Sequence, residues 1–119
     1  MIIVDDHAES AEGLSELLAA WGHESHAAGD AEEALELLEA VDPHVVISDI
    51  GLPGMDGYEL ARRIRSMPGG DDVVLVALTG FSRFEDAGDS DFDHMLVKPV
   101  DVDVLARLLD GETRRSASL

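Results

Sequence analysis

The chain has 119 residues, of which 45% are hydrophobic, so we expect one domain with a buried core. Cysteine is absent, which excludes disulfides, zinc–thiolate sites and cysteine nucleophiles. The 26 acidic residues outnumber the 8 basic ones, and the net charge of -18 opposes binding to nucleic acid or to anionic lipid. Without a signal peptide or a membrane-length apolar run, we expect a cytoplasmic protein, and the acidic surface suits a cytoplasm of high salt concentration.

Short apolar runs alternate with amphipathic segments in the first part of the chain. The predicted elements are a strand at Met1–Val4, a helix at Ala8–Trp21, a weak strand at Glu24–Ala28 and a helix from Asp30 that Pro43 ends. Gly22 is the predicted stop of the first helix. Asp30 and Glu33 have the spacing of an N-terminal capping pair, which supports the start of the second.

The same alternation continues to the C-terminal part of the chain. It predicts a strand at His44–Asp49, a helix at Tyr58–Ser66, strands at Val73–Leu78 and Met95–Val97, and a helix at Asp101–Leu109. Asp101 is the predicted cap of the last helix and Gly111 its stop. We therefore expect a domain over residues 1–111 and a flexible polar tail over residues 112–119.

Strands that are apolar throughout, separated by amphipathic helices, indicate an α/β fold with a parallel sheet covered on both faces. Right-handed crossovers make such a sheet doubly wound. The natural five-stranded version is the flavodoxin-like order 2-1-3-4-5. Its ligand crevice lies at the carboxyl ends of the strands.

Five chemically active side chains follow or end these strands: Asp5, Asp6, Asp49, Thr79 and Lys98. Crowded carboxylates repel each other unless a cation lies among them, and an oxygen-only ligand set favours Mg²⁺. Lys98, the single lysine of the chain, can bind an anion, and the Thr79 hydroxyl can donate to it. This combination is suited to accepting a phosphoryl group. Asp49 stands alone at its strand end and is the better candidate nucleophile.

Four motifs resemble the receiver domain of two-component response regulators. They are Ile3–Asp6, Ile47–Gly57, Ala77–Gly80 and Leu96–Pro99, in the family's order and at suitable spacing. The resemblance extends from Met1 to about Leu109. The sequences around Asp49 and Lys98 are also similar to those of receivers in hybrid sensor kinases.

The resemblance implies a phosphorelay role in signal transduction. Asp49 would accept the phosphoryl group from the phosphohistidine of a histidine kinase or a histidine phosphotransfer domain. Asp5, Asp6 and Asp49 would bind Mg²⁺ together with the backbone carbonyl of Gly51. Phosphorylation would switch interactions with an output partner, and hydrolysis of the acyl phosphate would end the signal.

The resemblance also implies roles for residues that bind the phosphoryl group and change conformation after phosphorylation. Lys98 and Thr79 would bind the phosphoryl oxygens, with a cis bond before Pro99 fixing the direction of the lysine. Met95 occupies a position that is often aromatic in the family, where it would repack when Thr79 moves. Segment Phe81–Phe92 is short and acidic, so we expect the family's fourth helix to be short, irregular or missing there.

Two alternative functions are compatible with some of the same residues. A phosphatase of the haloacid dehalogenase type needs a second acid two residues after the nucleophile, where this chain has Gly51. A non-phosphorylated adaptor is the third possibility, motivated by the irregular Phe81–Phe92 segment. His7 could reach the site, but we interpret it as a solvated loop residue. We expect a signalling domain and not an enzyme. We expect this domain to be a monomer or a weak dimer.

Overall fold

The computed structural model describes residues 1–41, 43–52, 54–79, 91–98 and 100–117, with side chains described as far as Asp110. In these ranges the strands are β1 Ile2–Val4, β2 His26–Ala28, β3 Val45–Asp49, β4 Val74–Thr79 and β5 His94–Val97. The helices are α1 Ala8–Ala20, α2 Ala31–Val41, α3 Gly57–Ser66 and α4 Val102–Ala117, with a 3₁₀ turn at Gly70–Asp72.

The five strands form one parallel sheet in the order β2-β1-β3-β4-β5, which confirms the predicted flavodoxin-like topology. The register pairs Val4 with Ser48, Asp49 with Leu78, and Thr79 with Val97. The carboxyl ends of the four adjacent strands β1, β3, β4 and β5 therefore meet along one edge of the sheet.

Helices cover both faces of the sheet, because successive strand residues point to opposite sides. Ile2 and Val4 of β1 belong to the core beneath α2 and α3, whereas Ile3 belongs to the core beneath α1 and α4. The buried residues of both cores are aliphatic. Those from β1, β3 and β4 are at most 3% exposed, and Val74 of β4 is half-buried. No helix in the described ranges is long and apolar enough to cross a bilayer.

Aspartates cap the amino-terminal ends of α2, α3 and α4. The caps of α2 and α4, Asp30 and Asp101, were predicted from the sequence. Oδ1 of Asp30 accepts from the N–H of Glu33 at 2.8 Å, and Oδ1 of Asp56 accepts from that of Glu59 at 2.9 Å. Oδ1 of Asp101 accepts from the N–H groups of residues 103 and 104. Each carboxylate satisfies an amide that the helix itself leaves without a partner.

Helix ends were predicted less well than helix starts. Trp21 caps α1 and Gly22 follows with φ 87°, so this predicted stop is confirmed. The stop at Gly111 is wrong, because α4 continues to Ala117. A glycine inside a helix costs only about 1 kcal/mol, so it does not by itself end one. The expected irregular helix of segment Phe81–Phe92 lies largely outside the described residues.

Arg65 links α3 to the amino-terminal edge of the sheet. Its Nη1 donates to the carbonyls of Gly70 at 2.7 Å and Val73 at 2.6 Å. Its Nη2 donates to the carbonyl of Asp91 at 3.0 Å and to Oδ2 of Asp93 at 2.8 Å. The side chain is 18% exposed. One planar guanidinium thus joins three backbone segments at the edge opposite the predicted site.

We predict that Arg65→Lys lowers the free energy of unfolding by about 1–3 kcal/mol, because an ammonium cannot reproduce the fork of hydrogen bonds. Urea unfolding followed by circular dichroism measures the loss. Arg63→Lys on the same helix is the matched control, since Arg63 makes only an exposed ion pair with Glu59 at 3.8 Å among its described contacts. Equal losses from the two variants would contradict the role assigned to Arg65.

Gly57 begins α3 in close contact with the end of β3. Its N–H donates to the carbonyl of Ile50 at 2.9 Å. A Cβ added at this position would lie 2.7 Å from the carbonyl oxygen of Asp49 and 2.8 Å from Cα of Ile50. The contact partners are backbone atoms, which cannot move aside cheaply. Glycine here allows α3 to approach the strand end that presents Asp49.

Gly57→Ala should therefore destabilise the domain by about 1–3 kcal/mol, because the new methyl group overpacks this contact. Gly13→Ala is the control, because a Cβ at Gly13 meets no heavy atom within 4 Å and alanine favours the helix interior. We expect a gain of up to about 1 kcal/mol from it. Thermal and urea unfolding report both values, and a neutral Gly57→Ala would refute the packing argument.

Candidate functional site

Asp5 and Asp6 lie where the chain leaves β1. The N–H of Asp5 still donates to the carbonyl of Ala28 at 3.0 Å, as in the sheet. Oδ1 of Asp5 then accepts from the N–H of His7 at 2.9 Å, which fixes the turn into α1. The Asp5 side chain is 4% exposed and that of Asp6 is 33% exposed. Adjacent side chains would diverge along a strand, but this turn brings both carboxylates to the same edge.

Asp49 is the last residue of β3, beside the end of β1. Its side chain is 13% exposed. The N–H of Gly51 donates to its Oδ1 at 3.3 Å, and the N–H of Ile50 donates to the carbonyl of Leu78 at 3.1 Å. These bonds hold the loop after β3 against the neighbouring strand. One carboxylate oxygen of Asp49 is thus oriented by the loop, while Oδ2 faces Lys98.

Lys98 follows β5 and reaches across the sheet edge to the acids. Its Nζ lies 3.0 Å from Oδ2 of Asp49 and 3.6 Å from Oδ2 of Asp5. Its backbone N–H donates to the carbonyl of Thr79 at 2.7 Å. Thr79 itself is 4% exposed. The structure therefore brings the lysine, two of the predicted acids and the threonine together in one place.

The pKa of Lys98 results from opposing effects. Partial burial of the ammonium lowers the pKa, whereas the hydrogen bond to Asp49 and the charges of Asp49 and Asp5 raise it. The carboxylates outweigh the burial, and the pKa of Lys98 is raised above its ordinary value. The lysine is consequently charged at neutral pH and forms an ion pair with Asp49.

The acids form a group that could hold a metal ion. One ligand atom from each of Asp5, Asp6, His7 and Asp49 can be chosen so that all four lie within 4.8 Å of one another. Three of these atoms are carboxylate oxygens, which are suited to hard divalent cations. His7, which we interpreted as a solvated loop residue, is 72% exposed but also contacts both acids of the β1 turn.

Three other predicted residues have less defined positions in the site. Gly51 follows Asp49 by two residues, and a Cβ added to it would meet no heavy atom within 4 Å, so packing does not require glycine there. Met95 is half-buried on β5, opposite Ala77. The parallel register places Met95 on the same face of the sheet as Thr79. Pro99 lies outside the described residues.

We predict a pH dependence from the ion pair of Lys98. The raised pKa means that its stabilisation is complete below the ordinary lysine value of about 10.4 and is lost as the pH rises through the folded value. Wild type should be more stable than Lys98→Gln at pH 8, and the difference should narrow at pH 11.5. Urea unfolding at both pH values measures it. If the two proteins differed in stability by the same amount at both pH values, the charge of Lys98 would contribute nothing to the free energy of unfolding.

Residues 1–110 match the family model for the response regulator receiver domain. The chain is 39% identical to a 14.6 kDa protein of Leptolyngbya boryana, with 92% of this chain and 86% of that protein covered. It is 34% identical to the sensor histidine kinase RcsC of Salmonella typhimurium, again over 92% of this chain. The chain spans only 12% of the length of RcsC.

A solved structure gives the same result for the fold. The response regulator protein TrrA from Thermotoga maritima, determined in complex with Mg²⁺–BeF, superposes with a TM-score of 0.83 at 31% identity. The superposition covers 93% of this chain and 96% of TrrA. The motifs at four strand ends, the sheet order and these similarities agree, and this chain belongs to the response regulator receiver domains of two-component signalling.

Proposed function

We propose that this receiver domain accepts a phosphoryl group on Asp49 in a Mg²⁺-dependent reaction. The donor is the phosphohistidine of a histidine kinase or of a histidine phosphotransfer domain. One observation supports the proposal most: Nζ of Lys98 lies 3.0 Å from Oδ2 of Asp49, next to a second, buried carboxylate at Asp5. A candidate nucleophile, an ammonium that can bind an anion and acids that can bind a metal thus lie at one edge of the sheet, which supports the proposal.

Asp5, Asp6 and Asp49 would hold the Mg²⁺, together with the backbone carbonyl of Gly51. The fit is chemical: three carboxylates with one exposed side provide hard oxygen ligands and leave room for water, which Mg²⁺ retains. When bound, Mg²⁺ neutralises charge on the transferring phosphoryl group. The rest of the reaction depends on residues of the chain.

In the transfer, a carboxylate oxygen of Asp49 forms a bond to phosphorus while the bond from phosphorus to the donor histidine nitrogen breaks. The histidine nitrogen keeps the electron pair, and Asp49 becomes an acyl phosphate. Lys98 binds a phosphoryl oxygen with its ammonium, and Thr79 donates its hydroxyl hydrogen to another. Attack of water on the acyl phosphate restores the carboxylate and releases inorganic phosphate.

The signal would pass from the phosphoryl group into β4 and β5. The Thr79 carbonyl accepts from the backbone N–H of Lys98, so a shift of Thr79 toward the phosphoryl group acts directly on the start of the β5–α4 connection. Met95 repacks on the same face, and a cis bond before Pro99 would hold the direction of the lysine. The outcome is a changed surface for an output partner, without turnover of any other substrate.

The donor would approach over an apolar rim. A depression of about 370 Å³ borders Asp5 and Lys98, and its apolar lining includes Leu14 and Leu17 of α1 and the valines at 100 and 102. Val102 is 48% exposed. Apolar surface beside a charged centre suits a protein donor, because contact would exclude water while the acids remain aligned.

The test is phosphorylation by acetyl phosphate in the presence of Mg²⁺, followed by intact-protein mass spectrometry. We expect one phosphoryl group on the wild type, none on Asp49→Asn, and none when the metal is removed with EDTA. Asp56→Asn is the matched control, because Asp56 caps α3 from the same loop and asparagine caps equally well. Unchanged labelling of Asp49→Asn would refute the site. Multiple turnover of a phosphate ester would instead favour a phosphatase.

A further inference from the structure

His7 adds a nitrogen atom to the oxygen ligands of the acidic group. Its Nδ1 lies 3.2 Å from Oδ1 of Asp6 and 3.4 Å from Oδ1 of Asp5. Neighbouring ligands of a six-coordinate ion with bonds of about 2.1 Å are roughly 3 Å apart. The imidazole nitrogen is thus spaced from both acids approximately as a fellow ligand would be, and it lies on the exposed side of the group.

Within the described residues, neither helix capping nor core packing accounts for the placement of the His7 side chain. His7 is the N-cap residue of α1, yet its side chain makes no capping hydrogen bond. Its backbone N–H is already bonded to Oδ1 of Asp5, which fixes the backbone beside the cluster. The ring is 72% exposed and therefore contributes little to the core. Its described polar contacts are to Asp5 and Asp6, the two acids of the β1 turn.

Metal ions differ in how strongly they bind a ligand set of three carboxylate oxygens and one imidazole nitrogen. Mg²⁺ prefers oxygen ligands and gains little from an imidazole. Borderline first-row ions such as Co²⁺, Ni²⁺ and Zn²⁺ bind imidazole well, and their affinity for mixed nitrogen and oxygen sites exceeds that of Mn²⁺. A histidine among three carboxylates therefore raises the affinity for these ions more than the affinity for Mg²⁺.

We propose that His7 is a metal ligand through Nδ1 and that it gives this receiver a transition-metal preference over Mg²⁺. The inference rests on the proposed function, since Asp5, Asp6 and Asp49 must hold a divalent cation first. His7 supplies the lone pair of Nδ1, and the ring hydrogen resides on Nε2. The consequence is a receiver whose phosphorylation site can be loaded by Co²⁺ or a similar ion at concentrations where Mg²⁺ binds weakly.

The experiment compares Co²⁺ and Mg²⁺ binding by isothermal titration calorimetry at pH 8. We expect His7→Ser to weaken Co²⁺ binding by at least about tenfold, as loss of a metal-supporting group does. Mg²⁺ binding should change by less than about twofold, because its oxygen ligands remain. Serine also caps helices well, so the start of α1 is kept. His44→Ser is the control, since His44 is exposed and lies before β3 at the opposite sheet edge.

A direct readout comes from NMR of the Co²⁺-loaded protein with ¹⁵N-labelled histidine. One imidazole should show hyperfine-shifted signals that disappear in His7→Ser and remain in His44→Ser. Equal Co²⁺ affinity of wild type and His7→Ser, with no shifted imidazole, would overturn the inference and leave His7 as an ion-pair partner of the acids. The proposed function would survive that result if Mg²⁺ still supports labelling of Asp49. Failure of every variant to bind either ion would overturn both.

Discussion

Repulsion among three carboxylates at one sheet edge is the constraint on which the site depends. Two unit charges 4 Å apart interact by about 4 kcal/mol at the effective dielectric constant of a protein surface. The acids of the β1 turn and Asp49 lie at such separations, and Asp5 is 4% exposed. Lys98 offsets part of this repulsion through its contacts with Asp49 and Asp5. One ammonium cannot balance three carboxylates, so the arrangement favours a divalent cation beside the lysine.

The fold concentrates stabilising contacts away from this repulsion. Both aliphatic cores lie under the helices, and the clamp of Arg65 joins α3 to the amino-terminal edge of the sheet. At the carboxyl edge, backbone hydrogen bonds such as those of Asp5 with Ala28 and of Lys98 with Thr79 accompany the ion pairs of Lys98. This separation allows charge at the site to change while the opposite edge holds the strands in register.

Much of the fold was predictable from the sequence, because strand ends in a parallel sheet are visible as acids or turn residues after apolar runs. The sheet order was expected of a doubly wound five-stranded sheet and is confirmed. The strand-end rule predicts that Asp5, Asp49 and Lys98 lie together, and the structure brings them into contact. The contacts of His7 were not predictable, because they depend on how the turn after β1 rotates the side chain. The bonds of Arg65 join residues 65, 70, 73 and 91, which only the tertiary fold brings together. The continuation of α4 past Gly111 was missed because a stop signal needs a change of backbone conformation and not merely a glycine.

The net charge of -18 attracts every divalent cation, so it cannot choose among them. Salt screens it as well, since the Debye length is about 8 Å at physiological ionic strength. Selection among ions therefore depends on the atoms that touch the metal. Three carboxylates alone make a site of hard ligands, and the only nitrogen in the described ligand group belongs to His7. Under the proposed function, a single residue at the start of α1 would thus influence which ion occupies the site beside Asp49, while the three acids and Lys98 would supply the groups that the phosphoryl transfer itself needs.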